Sequence, residues 1–190
     1  MTNKRIIGLT GGIATGKTTV ANYLAKTYNL PILDADIYAR DAVTVGSPIL
    51  QAIAQKYGSQ ILLADKSLNR QKLGEIIFNH PEERLYIEDL IHPYVRDRLI
   101  NEIHESSVKT LVLVVPLLFE AGITDLVTEI WVVYCDRQQQ LARLMQRNNL
   151  TIEQAEVRIN SQMPLGEKIA RADVVLDNNL GIENLYTQIR

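Results

Sequence analysis

The eight residues Gly11-Gly12-Ile13-Ala14-Thr15-Gly16-Lys17-Thr18 restrict this chain more than any other segment. They satisfy the spacing G-x-x-x-x-G-K-[ST]. Directly before them, residues 5–10 (RIIGLT) form a short apolar run that reads as a buried strand. Directly after them, residues 18–28 carry Val20, Leu24 and Tyr28 at helical spacing. A glycine-rich turn between a buried strand and an amphipathic helix describes a loop that curls around an anion. Gly11 and Gly16 supply backbone angles that a Cβ forbids. Successive N–H groups then turn inward, and the helix adds its positive end. Ala14 is expected at ordinary backbone angles, because the pattern leaves its position free. Lys17 reaches the β- and γ-phosphates of a nucleotide, and the Thr18 hydroxyl is placed for Mg²⁺. A nucleotide is therefore expected on Gly11, Gly12, Ile13, Ala14, Thr15, Gly16, Lys17 and Thr18.

The remaining pattern extends this start into an α/β chain. Strands are expected at 5–10, 31–34, 109–115, 129–135 and 172–176, the third and fourth being near-continuous runs of β-branched and leucine residues. Helices are expected at 18–28, 69–78, 81–103, 138–147, 151–162 and 182–189, with Thr151 and Gln154 as a capping box. Strands separated by helices imply a parallel sheet with right-handed crossovers. The fold class is thus a P-loop NTPase-type three-layer sandwich, a five-stranded parallel sheet flanked by helices. One domain is expected over 1–190. Its core covers about 1–36 and 108–190, a helical substrate-binding insertion about 37–107, and a lid about 137–165.

Composition narrows the setting. Hydrophobic residues at 46% and charged residues at 22% are ordinary for a globular domain. A net charge of −2 offers no global field for a polyanion, so no nucleic-acid partner is expected. Cys135 is the single cysteine, which removes disulfides and cysteine-rich zinc sites and suits a reducing cytosol. The longest apolar stretch, residues 111–119, is too short to span a bilayer. The start lacks the layout of a secretory signal. A cytoplasmic protein without a membrane partner is expected, of undetermined oligomeric state.

A phosphate loop alone does not distinguish switches, motors and kinases. GTPase switches carry D-x-x-G and N-K-x-D patterns, and neither occurs here. The third strand has no acid until Glu120, whereas motor ATPases end that strand in an acidic pair. The acids stand at the end of the second strand, as Asp34-Ala35-Asp36. In an extended segment, residues two apart project to one side. Both carboxylates then face the γ-phosphate at the sheet's carboxyl edge. Asp36 is assigned to the acceptor hydroxyl and Asp34 to the metal side, with exchange of the two roles left open. Without a phosphate loop, the same residues would read as an acidic loop with Asp36 capping the next helix.

Arg40, one helical turn beyond Asp36, either reaches an anionic substrate group or pairs with Asp36. Gln140, Arg143 and Arg147 fall on one helical face, with Leu141, Leu144 and Met145 on another. Such a helix is either a solvated basic face or a lid that brings arginines onto the transferring group, and the charge to be neutralised favours the lid. His80, His92 and His104 lack metal-ligand spacing.

The whole set of segments resembles the dephospho-coenzyme A kinase family. The likeness runs through I-x-G-L-T-G-G-I-x-x-G-K at 6–17, D-A-D-x-x-A-R at 34–40, L-N-R-x-x-L-x-x-x-I-F at 68–78 and I-H-P at 91–93. It continues through V-P-L-L-F-E at 115–120, Q-x-x-R-x-x-x-R at 140–147, R-I-x-x-Q at 158–162 and A-D-x-V-x-x-N at 172–178. The resemblance implies transfer of the γ-phosphoryl group of ATP to the ribose 3′-hydroxyl of dephospho-coenzyme A, with Mg²⁺. It extends the ATP site to Thr19 and Arg143. It places the acceptor near Asp34, Asp36, Arg40 and His92, with Leu117, Leu118 and Phe119 lining its pocket. Two departures stand out: the family's loop commonly reads G-I-G-S-G-K, and its glycine soon after the late asparagine is here displaced to Gly181. A kinase for another nucleoside or nucleotide, or a nucleotide-dependent switch or assembly ATPase, are the competing functions.

Overall fold

A computed structural model describes residues 4–189. The chain divides into two compact units: one ends at Asp34 and resumes at Ile103, and the other is Ala35–Glu102.

The first unit is built on a five-stranded, wholly parallel sheet: β1 (Arg5–Gly11), β2 (Ile32–Asp34), β3 (Thr110–Val114), β4 (Glu129–Tyr134) and β5 (Val174–Asp177). Their spatial order is β2-β3-β1-β4-β5. Parallel neighbours cannot be joined by tight hairpins, so each connection crosses over a face of the sheet. Alternation along the strands explains what those crossovers cover. Ile7 and Leu9 share a face with Val112, Val114, Trp131, Val133 and Leu176. Onto that face pack Val20, Ala21 and Leu24 of α1 (Lys17–Tyr28) and, from the chain's end, Leu185 and Ile189. Tyr23 stacks on Tyr186 with ring centroids 4.0 Å apart, which fastens α1 to the last helix of the chain. Leu9 is fully buried, and its truncation to alanine should cost roughly 2–5 kcal/mol. On the opposite face Leu111, Leu113 and Val132 are also fully buried.

The chain runs from central β1 out to β2, returns through β3, and only then passes to β4 on the other side. The carboxyl end of β1 is therefore the switch point, where an open sheet leaves a crevice. The expected strand at 172–176 forms two residues later at its start, and the expected capping box at Thr151 and Gln154 is present.

The second unit is helical. It contains α2 (Ala35–Asp41), α3 (Pro48–Tyr57), α4 (Arg70–Asn79) and most of α5 (Pro81–Glu105). Ser47 caps α3 by accepting from the N–H of Leu50 at 3.1 Å, with Pro48 in the first turn, where a missing N–H costs nothing. Asn69 caps α4 in the same way through Lys72 N–H, at 3.1 Å. Leu50, Ile53, Ile61, Leu68, Leu73 and Ile87 form its own core. Tyr57 and Lys56 both bind the Glu83 carboxylate.

One sequence expectation fails here. β2 ends at Asp34 and α2 begins at Ala35, so Asp34-Ala35-Asp36 is not an extended tripeptide. Ala35 and Tyr38, one helical turn apart, are both buried and start the helix at once. Asp36 sits exposed in the first turn of α2, where a carboxylate suits the helix's positive end.

The first unit continues with α6 (Arg137–Asn148), α7 (Ile152–Asn160), α8 (Leu165–Ala170) and α9 (Ile182–Thr187). The sequence pattern gave no sign of α8, which is only six residues long.

Candidate active site

The loop between β1 and α1 has the curl that its glycines permit. Gly11 has φ of +144° and Gly16 of +108°. A Cβ on Gly11 would stand 2.4 Å from the Val133 carbonyl oxygen of β4, so this glycine also lets two strands' backbones meet. Ala14 departs from its expected ordinary angles: its φ is +60°, in the left-handed region. Alanine carries no branched Cβ and can be held there, at a cost of about 1–2 kcal/mol.

Inside the curl, Lys17 Nζ donates to the carbonyls of Gly11 at 3.1 Å and Gly12 at 2.7 Å. The ammonium is thereby kept over the loop's own opening. Thr15 is fully buried and its hydroxyl donates to Gly12 O at 2.9 Å, closing the loop on itself. Thr18 is exposed in the first turn of α1. The N–H of Thr19 already bonds to Gly16 O at 3.0 Å as the helix begins.

Three carboxamides from distant segments brace the loop. Gln140 of α6 is buried and its Nε2 donates to Ile13 O at 2.9 Å. Gln162, just after α7, accepts from Ile13 N–H at 2.9 Å through Oε1. Ile13 is thus gripped at both its N–H and its carbonyl. Asn178, just after β5, donates from Nδ2 to Thr15 O at 2.8 Å. Its own carbonyl accepts from Arg143 at 3.0 Å, while the same guanidinium nitrogen also reaches Gln139 Oε1 at 2.7 Å. Gln140 shares the buried face of α6 with Leu144, whereas Arg147 is exposed; the sequence had divided these faces differently. Gln162 and Asn178 end segments that carry the family resemblance, but a side-chain bond across more than a hundred residues leaves no periodic trace.

Asp34 is half-buried at the carboxyl end of β2, level with Val114 of β3. Val114 is in turn level with Leu9, so Asp34 stands two strand spacings from β1, about 10 Å. It shares the sheet edge from which the loop rises. After β3, Leu118 is fully buried with a methyl group toward Gly8, Leu117 is half-buried, and Phe119 is covered by the Arg171 guanidinium, 4.2 Å from its ring centre. Asp36 and Arg40 are exposed at the first and last turns of α2, and His92 is half-buried within α5. These three belong to the helical unit.

A cavity of about 470 Å³ opens beside Gly12, lined among others by Tyr134, Cys135, Gln140, Gln162 and Pro164. Burial pushes the Cys135 thiol up, against a smaller opposing pull from Arg143, so this cysteine stays protonated and inert at neutral pH. Among the described residues no helix is long and apolar enough to cross a membrane.

The chain can be set beside known proteins. A family model described as dephospho-CoA kinase matches residues 5–184. A dephospho-CoA kinase of Trichormus variabilis is 67% identical over 186 residues, 98% of this chain and 95% of that protein. Among solved structures, TT1252 from Thermus thermophilus superimposes with a TM-score of 0.84 at 30% identity, over 98% of this chain and 94% of that one. The dephospho-CoA kinase from Campylobacter jejuni gives 0.72 at 28% identity, over 97% and 93%.

Proposed function

We propose, for a chain that belongs to the dephospho-CoA kinase family, transfer of the γ-phosphoryl group of ATP to the ribose 3′-hydroxyl of dephospho-coenzyme A, giving coenzyme A and ADP. The observation that carries this reading is the loop at Gly11–Thr18 with Lys17 drawn over its opening, in a chain whose relatives match it nearly end to end.

Phosphoryl transfer asks little covalent chemistry of a protein; it asks for positioning and for charge placed where charge develops. In this reading the β- and γ-phosphates lie in the curl of Gly11, Gly12, Ile13, Ala14, Thr15 and Gly16, with Thr18 and Thr19 closing it. Lys17 and Arg143 neutralise the transferring group. Asp36 accepts the proton of the 3′-hydroxyl as its oxygen attacks, and the bond from the γ-phosphorus to the bridging oxygen of ADP breaks. Thr18 and Asp34 would hold a Mg²⁺ ion carried in with ATP, which would supply positive charge to the phosphates. Such an ion takes one or two protein oxygens and otherwise water and phosphate, and Thr18 and Asp34 supply that number. Arg40 and His92 hold anionic and polar groups of the acceptor. Of residues 117–119, Leu117 keeps the most surface for it, since Leu118 belongs to the core. The helices after β4, about residues 137–165, act as the lid, and the helical unit as the acceptor-binding lobe. The reading includes a cytoplasmic enzyme, with ATP and dephospho-coenzyme A as partners and neither nucleic acid nor membrane. A free, buried Cys135 suits that reducing compartment.

A coupled assay with ATP and a panel of acceptors tests the proposal. One ADP formed per dephospho-coenzyme A consumed, with other nucleosides and nucleotides inert, is the expected result. ADP released at the same rate without any acceptor would mean an ATPase, and the reading would be wrong.

A further inference from the structure

Lys168 of α8 is fully buried, which is rare for lysine unless the ammonium is paired. It donates to Glu120 Oε1 at 2.9 Å and to Pro116 O at 2.9 Å. Pro116 O accepts a second bond from Thr10 Oγ1, at 3.1 Å, in the residue that precedes Gly11. Glu120 Oε1 accepts as well from the N–H of Met163 at 3.0 Å. The residue before Met163 is Gln162, whose carboxamide holds Ile13 N–H. The contacts therefore run from the root of the phosphate loop, through the turn after β3 and the segment joining α7 to α8, back to the crown of the same loop.

A fully buried ammonium paired to a partly exposed carboxylate is a poor choice if only stability is needed, since an apolar residue in place of the lysine often serves as well. Its advantage is direction. Glu120 is fixed by the ammonium and offers the same oxygen to one particular backbone N–H, which an apolar pair cannot do. Ile13, held by Gln140 at its carbonyl, would lose the side-chain acceptor of its N–H without Gln162.

We propose that Glu120 and Lys168 are positioning residues for nucleotide binding: they fix the backbone at Met163, so that Gln162 holds Ile13 N–H and sets the crown of the loop for the phosphates. This rests on the loop's being the ATP site. The three act through the backbone at Met163 and Ile13.

The test measures ATP affinity of the full chain by calorimetry, and KM for each substrate, in folded variants. Gln162→Ala should weaken ATP binding roughly five- to tenfold, the factor lost with one neutral hydrogen bond, and leave KM for dephospho-coenzyme A within about twofold. Glu120→Ala and Lys168→Ala should show the same selectivity for ATP. The double variant Glu120→Ala/Gln162→Ala should be no weaker than Gln162→Ala alone, because both changes break one path. Glu120→Gln keeps an oxygen for Met163 N–H and should retain ATP affinity within about twofold. Gln162→Ala with unchanged ATP affinity would overturn the proposal, as would effects that multiply in the double variant. If Glu120→Ala does not fold, Gln162→Ala and Glu120→Gln still decide. Should the wild type bind ATP yet fail to phosphorylate dephospho-coenzyme A, the catalytic reading falls while the affinity comparison stands.

Discussion

Gln140 Nε2 donates to the Ile13 carbonyl at 2.9 Å and also lies 2.4 Å from where a Cβ on Gly12 would stand. Gly12 has no left-handed backbone angle to excuse it. It is glycine because α6 docks its carboxamide there. Gly12→Ala should therefore push that flexible amide off the Ile13 carbonyl and weaken ATP binding by about 0.5–1.5 kcal/mol, the worth of one neutral hydrogen bond. Gln140→Ala breaks the same bond directly. We expect Gly12→Ala/Gln140→Ala to bind ATP no worse than Gly12→Ala alone. If the two losses add in the double variant, the docking contact is not the reason for the glycine.

Ala14 offers the opposite case, a residue with a Cβ at a left-handed angle. Ala14→Gly removes about 1–2 kcal/mol of backbone strain. It also loosens the unfolded chain, which offsets about 0.4–1 kcal/mol. The expected net gain is small and positive, a rise in melting temperature of about 1–4 °C with ATP affinity unchanged. A lower melting temperature would show that the alanine methyl packs usefully within the loop.

The contrast between these two positions explains how far the sequence could be read. The loop was legible because a strand, a glycine-rich turn and an amphipathic helix follow one another in a few residues, each with its own local pattern. The sheet was legible because strands buried on both faces leave continuous apolar runs, as residues 111–115 do. The tripeptide after β2 misled because alternation and helical spacing cannot be told apart over three residues; Tyr38, buried a turn after Ala35, decides for helix. The bracing of the loop was illegible for a different reason. Gln162 to Ile13 spans 149 residues and Asn178 to Thr15 spans 163. Lys168, in a segment that looks polar, gives no hint that its ammonium is buried.

Lys17→Ala and Asp36→Asn should each lower turnover by roughly a thousandfold or more, since transfer depends on charge and position. Melting temperature should change little for Asp36→Asn, an exposed residue. Near-normal turnover in the folded Asp36→Asn protein would remove that carboxylate from the chemistry and point to Asp34.

Arg143 supports two outcomes that kinetics can separate. Its guanidinium donates to Asn178 O, and Asn178 in turn holds Thr15 O. If it chiefly neutralises the transferring group, Arg143→Ala lowers kcat more than it weakens ATP binding, which is the expected result. A loss of ATP affinity with kcat preserved would mean that it works through Asn178 on the shape of the loop.

Acid should loosen the Glu120–Lys168 pair in a defined direction. Burial pushes the Glu120 carboxyl up, but hydrogen bonds from Lys168, its own backbone and Met163 together outweigh this and hold it below the ordinary glutamate value of 4.5. The folded state then binds fewer protons than the unfolded chain. The resulting stability is complete above that ordinary value and is lost as pH falls through the lower folded one. Glu129, hydrogen-bonded by Arg5 and Trp131 against the pull of burial, contributes with the same sign. Glu120→Gln removes one of these contributions and leaves Lys168 without its counter-charge. Because the Glu120 side chain is 25% exposed, the loss at neutral pH should be about 1–3 kcal/mol, below the range for a fully buried pair. Denaturant midpoints taken from about pH 6 to about pH 3.5 should fall less steeply below 4.5 in Glu120→Gln than in the wild type. Parallel curves would mean that the carboxylate titrates alike in folded and unfolded chains, and that the pair holds Met163 without any electrostatic share in stability.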